Sequence, residues 1–305
     1  MRKKLLLTAV IIITLFTSIN ACPFCGCGGG NLYMGIMPDF QRQFVGIRYH
    51  YSQYHTQLVS DPTQFSTNYY NIVEVWGGIH LGKKIQLLAF IPYYQNKQID
   101  DDGTMRPSGL GDITVMGQYE VFRIVTPLKD HKLIDQQLWL GGGVKIPTGT
   151  FNVDLNDSTT TVADINAQLG TGSVDFLLNG LYSIRMGNYG INASANYKIN
   201  TINSDKYKYG NRFTGNLIAY YRIAVKRDFI SPNIGLGYEN VAGNTLQNKT
   251  VQYTGSNVTA GIVGVEFNFN KIGIGVNGQL PFAQNYAEGQ TKLKFKGMMH
   301  VTFAL

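Results

Sequence analysis

All three cysteines of the chain fall within Cys22-Pro-Phe-Cys25-Gly-Cys27, which runs on into Gly28, Gly29 and Gly30. Thiolates at C-x-x-C-x-C spacing can converge on one soft ion, Cu or Zn. Two of the three could instead pair as a disulfide in an oxidising compartment and leave the third free. Cys22 is also a lipidation candidate. Ile19-Asn20-Ala21-Cys22 fits a lipobox except at Asn20, and lipidation would still leave Cys25 and Cys27 for metal or redox chemistry. No histidine flanks the cluster, so a fourth ligand would come from elsewhere or from a partner. Covalent c-type haem needs a histidine after the second cysteine, and Gly26 stands there.

The cluster follows an export signal. Arg2, Lys3 and Lys4 form a basic start, Leu5 to Phe16 an apolar run, and Ala21 a small residue at the expected cleavage point. The apolar run is too short to span a bilayer as a helix. The expected organisation is a signal peptide at 1–21, a Cys/Gly-rich periplasmic tail at 22–41 and one folded unit at 42–305.

That unit must be built from strands. Apolar and polar residues alternate with period two. Val45, Ile47, Tyr49 and Tyr51 oppose Gly46, Arg48, His50 and Ser52; Phe295, Met299, Val301 and Phe303 oppose Met298, His300 and Thr302. The same pattern recurs at about 189–200 and 272–282, and about twelve such runs can be traced. Helical periodicity is not sustained, and 35 glycines disfavour helices. The connections alternate too. Long polar stretches at 57–67, 96–108, 149–170 and 241–255 alternate with tight turns at 81–84, 186–188, 226–229 and 270–271; the stretch from Thr126 to Asp135 is a longer exception. Long loops at one end and short turns at the other predict an all-β fold: a closed antiparallel transmembrane barrel of about 12 strands in the outer membrane, termini in the periplasm.

Composition agrees. Charged residues make up 15% of the chain, and the polar faces are Asn, Gln, Ser, Thr and Gly rather than Lys and Glu. Tyrosines near strand ends, at Tyr69, Tyr70, Tyr93, Tyr94, Tyr220 and Tyr221, suit interfacial girdles. The net charge of +7 is scattered, which argues against a nucleic-acid partner. The expected partners are outer-membrane lipid, a small solute and the barrel-assembly machinery.

Register assigns a set of charged residues to the lumen: Arg48, His50, Glu74, Glu120, Lys145, Asp175, Arg185, Arg222, Glu266 and His300. The first and last strands must pair to close a barrel, so His50 and His300 could lie near each other. No G-x-S-x-G, H-E-x-x-H or phosphate loop is present, and no enzyme is expected.

Two segments carry a family resemblance. Ser108-Gly-Leu-Gly-Asp-Ile-Thr-Val-Met-Gly-Gln-Tyr119 opens the fourth strand, and Leu140-Gly-Gly-Gly-Val-Lys-Ile-Pro-Thr-Gly149 closes the fifth. They resemble the outer-membrane family named for the meta-pathway of phenol degradation, distantly like the long-chain fatty-acid channels. The resemblance is sharpest over about 85–150. It implies a barrel that passes small, often hydrophobic compounds, with Gly109, Leu110, Gly111, Asp112, Pro147, Thr148 and Gly149 as family positions. Physically, Gly109 and Gly111 allow a bend at the rim, Asp112 can cap a turn or meet a loop cation, and Pro147 belongs where no ladder donor is needed. The readings are therefore a passive channel, a metal- or redox-handling barrel using the cysteines, or a structural barrel without a conduit.

Overall fold

A computed structural model describes residues 43–57, 64–101, 103–127, 133–152 and 168–305. The signal peptide and Cys22, Cys25 and Cys27 lie outside them. Twelve long strands follow one another: β1 (Phe44–Gln57), β2 (Phe65–Leu81), β3 (Ile85–Gln95), β4 (Ile113–Pro127), β5 (Leu133–Ile146), β6 (Asp175–Met186), β7 (Tyr189–Ile199), β8 (Arg212–Tyr221), β9 (Asp228–Val241), β10 (Ser256–Phe269), β11 (Ile272–Tyr286) and β12 (Thr291–Ala304). Each pairs antiparallel with the next. Strand β12 then pairs with β1, from Phe44 opposite Ala304 to Thr56 opposite Thr291, and the barrel closes without a free edge. No helix among the described residues is long and apolar enough to cross a membrane.

The two faces of each strand resolve the orientation that periodicity leaves open. Ile47 is 56% exposed while its neighbour Arg48 is 2% exposed; on β12, Met299 is 52% exposed and His300 4%. The apolar face therefore points outward all round, and the polar face points into the barrel. A soluble sandwich would show the reverse, because exposing this much contiguous apolar surface to water is unfavourable.

Long connections emerge at one end of the barrel, except for the short turn 287–290 between β11 and β12, and short ones at the other. The exception expected between Thr126 and Asp135 shrinks. Strand β4 runs on to Pro127 past a bulge near Val121, and β5 starts at Leu133, so Thr126 and Asp135 are strand residues. The tyrosine pairs also need correction. Tyr93 and Tyr221 face outward, whereas Tyr70, Tyr94 and Tyr220 are buried inside. Adjacent residues on a strand point to opposite faces, so each pair contributes one ring to the surface and one to the lumen.

The interior is not uniformly polar. Phe44, Trp76, Leu88, Phe90, Met116, Trp139, Leu177 and Leu181 form one apolar cluster inside β1–β6. Phe44 meets Trp76 edge to face at 4.7 Å between ring centres. Glycine on an intervening strand lets side chains reach across it. Glu266 on β10 meets His300 on β12 over Gly275, and Gln118 on β4 bonds Asn179 on β6 over Gly141. A Cβ at Gly275 would overlap both Glu266 and His300, and one at Gly141 would crowd Gln118. These glycines are seats for neighbouring side chains, which is one use of a composition rich in glycine.

Candidate functional site: a charged cavity in the lumen

Four ion-pair groups are present among the described residues, one of them the Lys296–Glu239 pair between β12 and β9 at 3.8 Å. The first stitches the seam where the last strand meets the first. Arg48 on β1 pairs through Nε with Glu74 on β2, and its guanidinium lies 4.8 Å from the centre of the Trp76 ring and 4.9 Å from that of Phe90. Two aromatic faces and a carboxylate compensate a cation that is removed from water. His300, directly opposite Arg48 on β12, places Nε2 3.2 Å from Glu266 Oε2, and its ring meets Trp76 edge-on at 6.2 Å.

The second group joins the two family segments. Lys145 on β5 donates to Asp112 and Thr171, to the Ser173 carbonyl at 3.2 Å, and lies 3.0 Å from Asp175 Oδ2. Asp112 accepts amide hydrogens from Gly149 at 3.0 Å and Thr171 at 2.9 Å, plus the Thr171 hydroxyl at 3.0 Å. Thr148 donates its hydroxyl to the Gly111 carbonyl at 2.8 Å and accepts the Ile113 amide at 3.0 Å. The bend expected at Gly109 and Gly111 is the break between a short strand, Ser108–Leu110, paired with β3, and the start of β4. Leu110 points outward, and Pro147 follows β5 outside the ladder. Asp112 thus does both things its type allows, with the difference that its cation comes from strand β5 and its amides from the loop. The node pins residues 147–150 and 168–173 at the long-loop end.

Asp175, fully buried, anchors a further cation: Lys198 Nζ on β7 lies 3.3 Å from its Oδ2. Ser173 Oγ at 2.8 Å and the Thr201 amide at 3.0 Å donate to its other oxygen. The third group sits at the short-turn end, where Arg123 and Arg185 share Asp135 at 2.9 and 3.4 Å.

Of the ten residues assigned to the lumen from register, Arg48, Glu74, Glu120, Lys145, Asp175, Glu266 and His300 are buried there. Arg48–Glu74, Lys145–Asp175 and Glu266–His300 come together as pairs. Glu120 lies opposite Trp139, with Oε1 lacking a protein partner. His50 is half-buried opposite Met298, diagonal to His300 rather than facing it. Arg222 follows β8 at the short-turn rim, its guanidinium 4.2 Å from the Phe229 ring centre. Among the described residues no group of three or more His, Cys, Asp or Glu side chains is placed to hold a metal.

Between the seam group and the Lys145 node lies a cavity that leaves about 60 Å³ for the centres of water-sized molecules. Its wall combines Phe90, Pro92, Tyr94, Leu169 and Leu177 with Arg48, Lys145, Lys198 and Arg212. Lys198, Arg212, Thr171 and the inward aromatics are absent from the register-based set. Parity carries the signal for two of them, since Trp76 stands two residues beyond Glu74 and Lys198 two beyond Asn196, each on the inward face.

On the other side of the lumen carboxamides and hydroxyls stand beside a smaller apolar cluster, Ile218, Tyr220 and Ile262 with Met298 of β12. Asn192, Asn196, Asn216, Ser231, Asn233, Asn277 and Gln279 are buried on β7–β11. Ser231 Oγ, Asn233 Oδ1 and both polar atoms of Asn277 have no hydrogen-bond partner among the described residues. Such atoms call for a hydrogen-bonding lumen content.

A solved outer-membrane channel shares the barrel fold. The COG4313 outer membrane channel from Pseudomonas putida F1 superimposes with a TM-score of 0.60 at 16% identity, over 89% of this chain and 100% of that one. The β domain of the Bordetella autotransporter Brka gives a TM-score of 0.49 at 10% identity, over 87% and 100%. No curated protein matches the sequence. The profile of one family covers residues 54–292, most of the barrel, and the chain belongs to that family, described as "Putative MetA-pathway of phenol degradation".

Proposed function

We propose that this barrel is a passive conduit across the outer membrane for a small solute with a largely apolar body. The carrying observation is the lumen cavity, whose wall mixes aromatic and aliphatic side chains with fixed polar and charged groups. That combination is what small-molecule sites use: apolar area for affinity and a few placed polar groups for orientation. The channel-like fold shared with the COG4313 outer membrane channel supports the reading. In this reading the short turns face the periplasm and the long loops face outward. The start of β1 and the end of β12 then lie at the periplasmic rim, where the Leu305 amide donates to the Gln43 carbonyl at 2.9 Å.

Osmotic swelling of liposomes carrying the purified barrel tests the proposal. Small solutes are expected to enter faster than into protein-free liposomes, with entry falling off sharply as solute size grows. Swelling that equals the protein-free rate for every solute tried would overturn it.

A further inference from the structure

One buried polar atom of the cavity wall has no hydrogen-bond partner among the described residues: Nδ2 of Asn196, on the inward face of β7. The oxygen of the same carboxamide is taken. Gln118 on β4 donates to Asn179 on β6, and Asn179 donates through Nδ2 to Asn196 Oδ1. This chain of carboxamides sets which way Asn196 is turned and leaves its N–H group to the cavity. A buried N–H without an acceptor is unfavourable, and an occupant that supplies the acceptor removes that cost. The charged groups of the wall are compensated among themselves. Arg48 pairs with Glu74, Lys145 with Asp112 and Asp175, and Lys198 with Asp175 at 3.3 Å. Arg212 interacts with the charge of Glu239, which also lies 3.8 Å from Lys296. An occupant needs no net charge to fit such a wall. Thr214 on β8 stands directly opposite Asn196, Leu177 on β6 lies diagonal to it, and Phe90, Pro92 and Tyr94 give the cavity further apolar area.

We propose that Asn196 sets the specificity of this cavity, and that the cavity takes a small neutral carbonyl compound whose oxygen accepts from Asn196 Nδ2 and whose apolar body lies against Phe90, Tyr94 and Leu177. The inference rests on the conduit reading for its physiological meaning, and it adds a choice of functional group that the conduit reading lacks. A site built around a placed donor discriminates against an analogue without the acceptor, because the donor then stays buried and unpaired. A hydrocarbon of the same shape would leave Asn196 in that state, and a cation would bring a donor to a donor.

Three probes built on one six-membered ring separate the cases: cyclohexanone, methylenecyclohexane and cyclohexylammonium, titrated calorimetrically into the full-length, detergent-solubilised barrel, with the heat of mixing into detergent alone subtracted. Cyclohexanone is expected to bind about tenfold more tightly than the other two. Asn196→Leu, close in volume but without the donor, is expected to weaken cyclohexanone about tenfold and leave methylenecyclohexane unchanged. Asn196→Asp keeps the shape, replaces the amide nitrogen with oxygen and is expected to weaken cyclohexanone as well. The heat-dependent shift in gel mobility of an intact barrel verifies that each variant is folded. No binding of cyclohexanone, equal binding of the three probes, cyclohexanone binding indifferent to both variants, or an equal loss of methylenecyclohexane in Asn196→Leu would overturn the proposal. Tighter binding of cyclohexylammonium would overturn it too, since the carboxamide chain would then run in the opposite sense and show the cavity an oxygen. Ionic current through the same preparation in a planar bilayer reports on the conduit separately. Cyclohexanone binding without current would remove the conduit and keep the carbonyl site; current without a cyclohexanone preference would do the opposite.

Discussion

The two sides of the lumen are built on different principles. Strands β1–β6 fill their inner face with one packed cluster around Trp76, Phe90, Met116 and Trp139, and lock it with Arg48–Glu74 and Lys145–Asp112. Strands β7–β11 present carboxamides and hydroxyls, several of them without a hydrogen-bond partner among the described residues, and only a smaller apolar cluster around Ile218, Tyr220 and Ile262. The first side resembles the interior of a soluble domain, where packing and satisfied charges supply stability. The second resembles the wall of a passage, where polar groups are held ready for whatever fills the lumen. A barrel needs no central core to close its hydrogen bonds, so the larger core can sit on one side while the other stays more polar.

That contrast can be broken by substitution. Trp139→Ala removes the largest buried side chain of the packed side and is expected to destabilise the barrel by about 4 kcal/mol, read as a lower urea midpoint for unfolding from lipid vesicles. Asp112→Ala leaves the Lys145 ammonium with Asp175 alone and frees the loop amides; about 3 kcal/mol is expected to be lost in the same assay. The outer surface follows a rule common to both sides. Val263→Arg places a charge on the 64%-exposed lipid face of β10 and is expected to cost about 2 kcal/mol. The smallest effect belongs to Asn277→Ala on the open side. Neither polar atom of Asn277 has a hydrogen-bond partner among the described residues, so a change below about 1 kcal/mol is expected. Should Asn277→Ala cost as much as Trp139→Ala, the two sides would be energetically alike and the contrast would be lost.

The strands themselves were legible in the sequence because period two is a local property. Val45, Ile47, Met299 and Val301 announce the lipid face, and Arg48 and His300 the lumen, without knowledge of the partners. The alternation of long and short connections added closure. The packed side was harder to read. Trp76 and Phe90 face inward, yet their apolar character matches that of lipid-facing neighbours, so hydropathy cannot tell plug from surface. Only parity along the strand can, and parity fails at bulges such as the one near Val121. The Asp112–Lys145–Thr171 node shows the other limit. Its members come from 33 and 26 positions apart, and the contact depends on how residues 168–173 fold over the rim. The short family segments marked Asp112 without revealing that Lys145, within the second segment, is its partner.

The central proposal is that a small solute moves through the lumen, whose wall includes the inward face of β11. A single cysteine on each face of that strand tests it, in a background where Cys22, Cys25 and Cys27 are serine. Asn277→Cys faces inward and Val276→Cys faces lipid, since the first position is buried in the barrel and the second is 45% exposed. Current through single barrels in a planar bilayer is recorded while a charged, water-soluble thiol reagent is added. A stepwise fall in current for Asn277→Cys and none for Val276→Cys is the predicted result. An unchanged current in both, or a fall in Val276→Cys alone, would contradict the account.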